Sequence, residues 1–192
     1  MNAFTSYDLT CYFNNFPAFQ MEKWLEVNSA RLINPVFRSF QAELENVFEE
    51  YNMYQDYNDT HISEFIMEKL YEGHPYARDV IGLPEHLKNP SLSSLINFYN
   101  TWYVPNNMCL LLVGNFDTET VKPLIEKYFG RLQPKELPQR GQYTWTDFKG
   151  NPKYSAKLGY YPQVVWGYNG VKEGDPDALA LDFTLSMLNN RH

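Results

Sequence analysis

The stretch that most restricts how this chain folds is Gln41-Ala42-Glu43-Leu44-Glu45-Asn46-Val47-Phe48-Glu49-Glu50-Tyr51-Asn52. It sets four carboxylates among apolar residues in a pattern that reads as one long helix. Glu43 and Glu50 stand seven residues apart. At 3.6 residues per turn, seven steps return a side chain to nearly the same face, roughly 10.5 Å along the axis. Val47 falls between them on that face, and Phe40, Leu44, Phe48 and Tyr51 form a neighbouring apolar stripe. The two carboxylates therefore border the side expected to face a core. An unpaired charge is costly there, so they need a partner, and a metal ion is one candidate. Glu45 and Glu49, four residues apart, read as a solvated face.

Composition narrows the classes. Of 192 residues, 44% are apolar and 17% aromatic, which allows a sizeable core and argues against disorder. The length suits one domain, or one and part of another. The net charge is −7 and the basic residues are scattered, so nucleic acid and an anionic membrane surface are poor partners. No apolar run approaches the roughly 18 residues of a membrane span. The longest, Met108 to Val113, has the length of a buried strand. Cys11 and Cys109 belong to no CxxC or Cys/His cluster, which excludes a structural zinc ribbon; free buried thiols are expected. No charged stretch followed by an apolar run opens the sequence, so no signal peptide is expected in these residues. It starts in what reads as a strand and stops on a helix, so a piece of a longer protein is expected.

Taken in order, residues 2–16 are rich in Thr, Tyr and Phe and alternate as a half-buried strand with a bend or hairpin. Helices are expected over about 18–32, ended by Asn34-Pro35, and over about 36–57. Asp59-Thr60 can cap a third, stopped at Gly73. Residues 73–90 read as a loop punctuated by Gly and Pro. Ser91 or Asn89 caps a helix to about Tyr103, and a strand follows at 108–115. Asp117 caps a helix ending at Gly130, with Pro123 forcing a kink or a later start. Residues 131–152 read as a linker with an extended piece at 143–148. Strands at about 154–161 and 163–169 and a helix over 176–189 complete the chain. No internal repeat is visible.

The common catalytic signatures are missing. His61, His74, His86 and His192 fit no metal-ligand spacing and read as surface or loop residues. No GxSxG, GxxxxGK[ST] or GxGxxG occurs. Tyr143, Tyr154, Tyr160 and Tyr161 could form a stacking platform, but a strand-rich core explains them as well.

The order of several short motifs is more telling than any one of them. Asn2-Ala3-Phe4-Thr5-Ser6, Thr10-Cys11-Tyr12 and Glu43 through Glu50 come first. Gly73-His74-Pro75-Tyr76 with Gly82 follows, then Trp102-Tyr103-Val104-Pro105-Asn106-Asn107-Met108, Val113-Gly114-Asn115-Phe116 and Tyr128-Phe129-Gly130. Gly174-Asp175-Pro176-Asp177-Ala178-Leu179-Ala180-Leu181 closes the series. Together they resemble the pitrilysin/insulinase family of zinc peptidases, the inverzincins with an H-x-x-E-H motif, over nearly the whole chain.

The resemblance implies an α+β fold: an α/β sandwich with helices on one face of a mostly antiparallel sheet, here truncated at its N-terminus. Pairs of such domains form half-shells that enclose a chamber. It implies residues 1–135 as a truncated N-terminal catalytic domain, 136–152 as a linker, and 153–192 as the start of the next domain. In the family, Zn2+ is held by both histidines of H-x-x-E-H and by a downstream Glu, the second of a pair seven apart. That Glu maps onto Glu50, and Glu43 onto the carboxylate that orients the site. Asn2, Ala3, Phe4 and Thr5 map onto the strand along which a peptide substrate adds as an extra strand. The partners implied are peptide substrates and the protein's remaining domains or a paired subunit.

The departure from the pattern is equally specific. No H-x-x-E-H occurs here, and the resemblance places it ahead of Met1. The general base it contains is therefore expected upstream, and the Arg and Tyr that steady the attacked carbonyl beyond His192. Alone, the chain is expected neither to bind zinc tightly nor to cleave peptides. It reads as a fragment of a zinc metalloendopeptidase; the alternative is a non-catalytic scaffold or peptide-binding relative of the same fold.

Overall fold

A computed structural model describes residues 1–143 and 150–189. The chain divides into two compact units, Met1–Tyr154 and Ser155–His192.

The first unit opens with a hairpin. β1 (Asn2–Thr5) pairs antiparallel with β2 (Thr10–Phe13) in the register Asn2↔Phe13, Ala3↔Tyr12, Phe4↔Cys11, Thr5↔Thr10. Ser6 N donates to Leu9 O at 2.8 Å and closes the loop around Tyr7 and Asp8. All four β1 residues are exposed, and only Cys11 of β2 is partly covered. The expected half-buried strand over 2–16 is thus two short strands, both largely open, because no second layer covers them among the described residues.

Pro17 (φ −65°) leads through a short 3-10 turn into α1 (Met21–Ile33), which stops at Asn34 ahead of Pro35. α2 (Phe40–Gln55) and α3 (Asn58–Leu70) follow. Tyr57, not Asp59 or Thr60, stands at the α3 N-cap, and no side chain bonds the helix end. α4 (Pro84–Lys88) lies against α2, where Lys88 Nζ sits 5.7 Å from the centre of the Phe48 ring. α5 (Leu92–Trp102) is capped by Ser91, whose Oγ accepts from Ser94 N at 3.1 Å.

α6 (Thr118–Phe129) is capped by Asp117, whose Oδ2 accepts from the Thr120 hydroxyl and from Thr120 N at 2.8 Å. Those hydrogen bonds hold the Asp117 carboxyl below its ordinary range. The later start does not occur: the helix begins at Thr118 and runs through Pro123, forgoing one ladder bond on its second turn. Gly130 ends it. A Cβ there would lie 2.3 Å from Glu126 O, so any side chain would have to displace the last turn.

The core sits where α1 packs on α6. Leu25 is 0% exposed and Val104 2%, and Val121 and Ser29 are also buried. Ser29 Oγ donates to Glu26 O at 3.0 Å, satisfying its hydroxyl within the helix. Across the same helix pair, Glu22 Oε1 accepts from Lys127 Nζ and from Tyr128 OH, each at 2.9 Å. These donors lower the Glu22 carboxyl pKa. Tyr99 OH donates to Leu32 O at 2.9 Å and ties α5 to the end of α1. The segment after α6 is held by Asn106, which donates to Lys135 O at 2.9 Å and accepts from Lys135 N at 3.2 Å.

The mostly antiparallel sheet is not what the structure contains. Among the described residues the sheet has two strands, and the rest of the regular structure is helical. Residues 108–115, 154–161 and 163–169 form no ladder. A strand exists only as a hydrogen-bonded partner of another, and these runs have none within the described chain. Leu111 is 80% exposed and Val113 89% as a result. The extended piece anticipated at 143–148 falls, beyond Tyr143, outside the described residues.

In the second unit, Asp175 Oδ1 accepts from Asp177 N at 2.9 Å and leads into α7 (Ala178–Asn189). Leu179, Phe183 and Leu188 on that helix are exposed. No helix among the described residues is long and apolar enough to cross a membrane.

Candidate functional site

Glu43 and Glu50 both lie on α2, one near its start and the other past its midpoint. The stripe of Phe40, Leu44, Phe48 and Tyr51 is half-buried as the pattern indicates, but no residue of α2 is fully buried and both glutamates are exposed. The electrostatic pressure for a metal partner inferred from a core-facing position is therefore absent in this structure. Water solvates a carboxylate at such a place without further help.

Glu50 has one protein contact of note: Tyr54 OH, one turn on, donates to its Oε1 at 3.1 Å. That bond, with the charge behind it, raises the Tyr54 phenol above its ordinary value. Gln41 Nε2 donates to Glu45 Oε1 at 3.0 Å in the same i, i+4 manner. Among the described residues no group of three His, Cys, Asp or Glu converges as a metal cage. One exposed carboxylate from α2 does not fit a complete zinc centre, which takes three or four protein donors.

Asn2, Ala3, Phe4 and Thr5 are the four residues of β1. The Ser6–Leu9 bond fixes the alternation of the ladder. It turns the main-chain groups of Thr5 and Ala3 away from β2, toward the open edge. Thr5 Oγ1 lies 3.3 Å from Thr10 Oγ1, as befits a pair without main-chain bonds. Phe4 and Phe13 meet with ring centres 6.4 Å apart. At the start of the strand, Asn2 Oδ1 accepts from Ala3 N at 2.9 Å, so one outward donor is already engaged by the neighbouring side chain.

One grouping escaped the sequence. Tyr7 and Asp8, at the tip of the hairpin, meet the Gly73-His74-Pro75-Tyr76 loop. Tyr76 OH donates to Asp8 Oδ2, and the Tyr7 and Tyr76 ring centres are 4.9 Å apart. His74 accepts from Tyr76 N at 3.2 Å and stacks edge-on against Tyr143 at 5.4 Å. The motif around His74 was visible, but its partner lies 68 residues away in sequence, a pairing that no local pattern encodes. The other histidines have local duties: His61 on α3 contacts Gln55 O at 2.9 Å, and His86 lies on α4. His192 is outside the described residues. Cys11 and Cys109 are free thiols as expected, but the first is half-buried and the second exposed.

Comparison with known proteins places this geometry in a family. Residues 1–83 match a family model described as insulinase (peptidase family M16), and residues 91–192 one described as the peptidase M16 inactive domain. An uncharacterized zinc protease of Bacillus subtilis, YmfH, is 29% identical over 72% of this chain and 32% of its own length. Subunit 1 of the mitochondrial cytochrome b-c1 complex of Caenorhabditis elegans is 28% identical over 94% of this chain and 39% of its own. A crystal structure of a protease from Helicobacter pylori superposes with a TM-score of 0.65 at 28% identity, over 72% of this chain and 35% of that one. The chain thus spans about a third of the length of the curated relatives it matches. With the two family models together spanning residues 1–83 and 91–192, the chain belongs to the insulinase (M16) family of peptidases.

Proposed function

We propose that this chain is the portion of a zinc-dependent metalloendopeptidase that aligns the peptide and supplies one carboxylate to the metal. The open outer edge of β1 carries the reading. Thr5 and Ala3 turn main-chain donors and acceptors outward there, and an extended peptide can add to such an edge as a third strand. Specificity along such a strand would come from alternate side chains, with Phe4 beside Phe13 forming an apolar face. Glu50 is the proposed zinc ligand and Glu43 the carboxylate that orients the site; the zinc protease relatives support that assignment. Zinc, where bound in a complete enzyme, would activate water for attack on the peptide carbonyl. The described residues do not assemble that centre, so the contribution proposed for the chain is binding, alignment and one carboxylate. Division into a truncated catalytic domain over 1–135, a linker over 136–152 and a following domain from 153 belongs to the same proposal, as does pairing with further domains or a second subunit.

The test is direct. Titrated with a short unstructured peptide, the chain should protect the Ala3 and Thr5 amides from hydrogen exchange. It should hydrolyse no fluorogenic peptide with zinc added. One tightly bound zinc per chain, or protection confined to other elements, would sink the reading. The alternative is a non-catalytic scaffold or peptide-binding relative, favoured by the likeness to a subunit of the cytochrome b-c1 complex over 94% of the chain. Finding H-x-x-E-H encoded ahead of Met1 would select the peptidase, and its absence from the complete gene the scaffold.

A further inference from the structure

A groove of about 330 Å³ runs between α1 and the segment that joins β2 to it. Its floor is aromatic: Phe16 and Trp24 stack with ring centres 4.9 Å apart and planes within 11°. Lys23 and Arg31 line it, and no carboxylate does. In a chain with 23 acidic and 16 basic residues, that segregation is a feature to be explained.

The helix makes the arrangement. Lys23, Val27 and Arg31 recur every four residues and share a face. Neither Glu22 nor Glu26 lines the groove, and Glu22 is already engaged by Lys127 and Tyr128. Neither Lys23 nor Arg31 makes an ion pair among the described residues. The hydrogen bond of Arg31 goes to Met1 Sδ at 2.7 Å, and a thioether is a weak acceptor that neutralises nothing. Asn14 and Gln20 add amide groups to the wall, of the kind that pairs with a peptide main chain.

Eight residues of helix separate the two cations, roughly 12 Å along the axis. In an extended peptide, side chains on one face four residues apart stand about 13 Å apart. We infer that this groove binds an extended acidic peptide segment with carboxylates four residues apart. One carboxylate meets Lys23, the other Arg31, and the intervening side chains lie over the Trp24 ring. The inference does not depend on the metallopeptidase reading, since it uses none of the residues assigned there.

Fluorescence anisotropy with a labelled ten-residue peptide carrying Glu at positions i and i+4 tests it. The Glu peptide should bind about tenfold more tightly than a twin with Gln at both positions, and its affinity should fall as salt rises. Lys23→Glu combined with Arg31→Glu should abolish that preference. Both residues are exposed, so an unchanged thermal midpoint would show the fold intact. Lys122→Glu with Lys153→Glu, an equal charge change at two exposed residues that do not line the groove, should leave binding as it was. Equal binding of the two peptides, equal loss from the control pair, or displacement of the peptide by any single-stranded oligonucleotide would overturn the inference. So would no binding at millimolar peptide.

Discussion

α1 and α2 are helices of similar length, each mixing carboxylates with aromatic and aliphatic residues, yet they end in different circumstances. α1 buries Leu25 and Ser29 against a neighbour, while α2 buries nothing completely. The difference is not in their own patterns, since both carry an apolar stripe. It lies in what faces them. α6 runs alongside α1 and brings Val121, whereas α2 meets α3 and the five-residue α4. Periodicity says which face a helix offers; only a second layer decides whether that face is buried.

The largest way to break this comparison is to empty the buried side. Leu25→Ala should cost about 2–5 kcal/mol, the range for deleting a fully buried leucine, measured by urea unfolding. Leu44→Ala on the half-buried stripe of α2 should cost less than half as much. If the two losses were equal, the packing contrast would be wrong. Next comes the end of α6. Gly130→Ala places a Cβ against Glu126 O and should lower stability by about 1–3 kcal/mol, with the loss registered in α1 and α6 amide exchange before α2.

A smaller effect sharpens the same side through pH. The Asp117 carboxyl is held below its ordinary value by Thr120. Its contribution is therefore complete above the unfolded aspartate pKa of about 3.9 and is lost as pH falls through the lowered folded value. Asp117→Asn keeps a capping oxygen and should flatten the acid limb of the urea midpoint, while Asp117→Ala should lower the midpoint at neutral pH as well. The smallest change should come from α2. Glu50→Gln, at an exposed position, should shift stability by no more than about 0.5 kcal/mol. It should also let the Tyr54 phenol titrate closer to its ordinary value, read by ultraviolet pH titration. A large loss of stability there would mean that α2 is covered after all.

These contrasts also mark how far the sequence carried. Caps at Ser91 and Asp117 were legible because the side chain bonds an amide three residues away, and so were the helix ends at Asn34-Pro35 and Gly130. The stripe from Phe40 to Tyr51 was legible for the same local reason. Strands at 108–115 and beyond 153 were not, because alternation gives strand-like character without naming a partner. The site divides the same way. Asn2 to Thr5 could be placed on one strand and Glu43 with Glu50 on one helix. Their exposure, and the meeting of Asp8 with Tyr76, depended on residues distant in sequence.

The run Met108-Cys109-Leu110-Leu111-Leu112-Val113 has a consequence for handling the protein. It is six residues long, uncharged and free of Pro and Gly, and it has no ladder partner within the described chain. Such segments stack with copies of themselves. Solutions of this chain should therefore have a colloidal limit set by concentration and not by unfolding, with fibrillar material seeding from a run that heat need not expose.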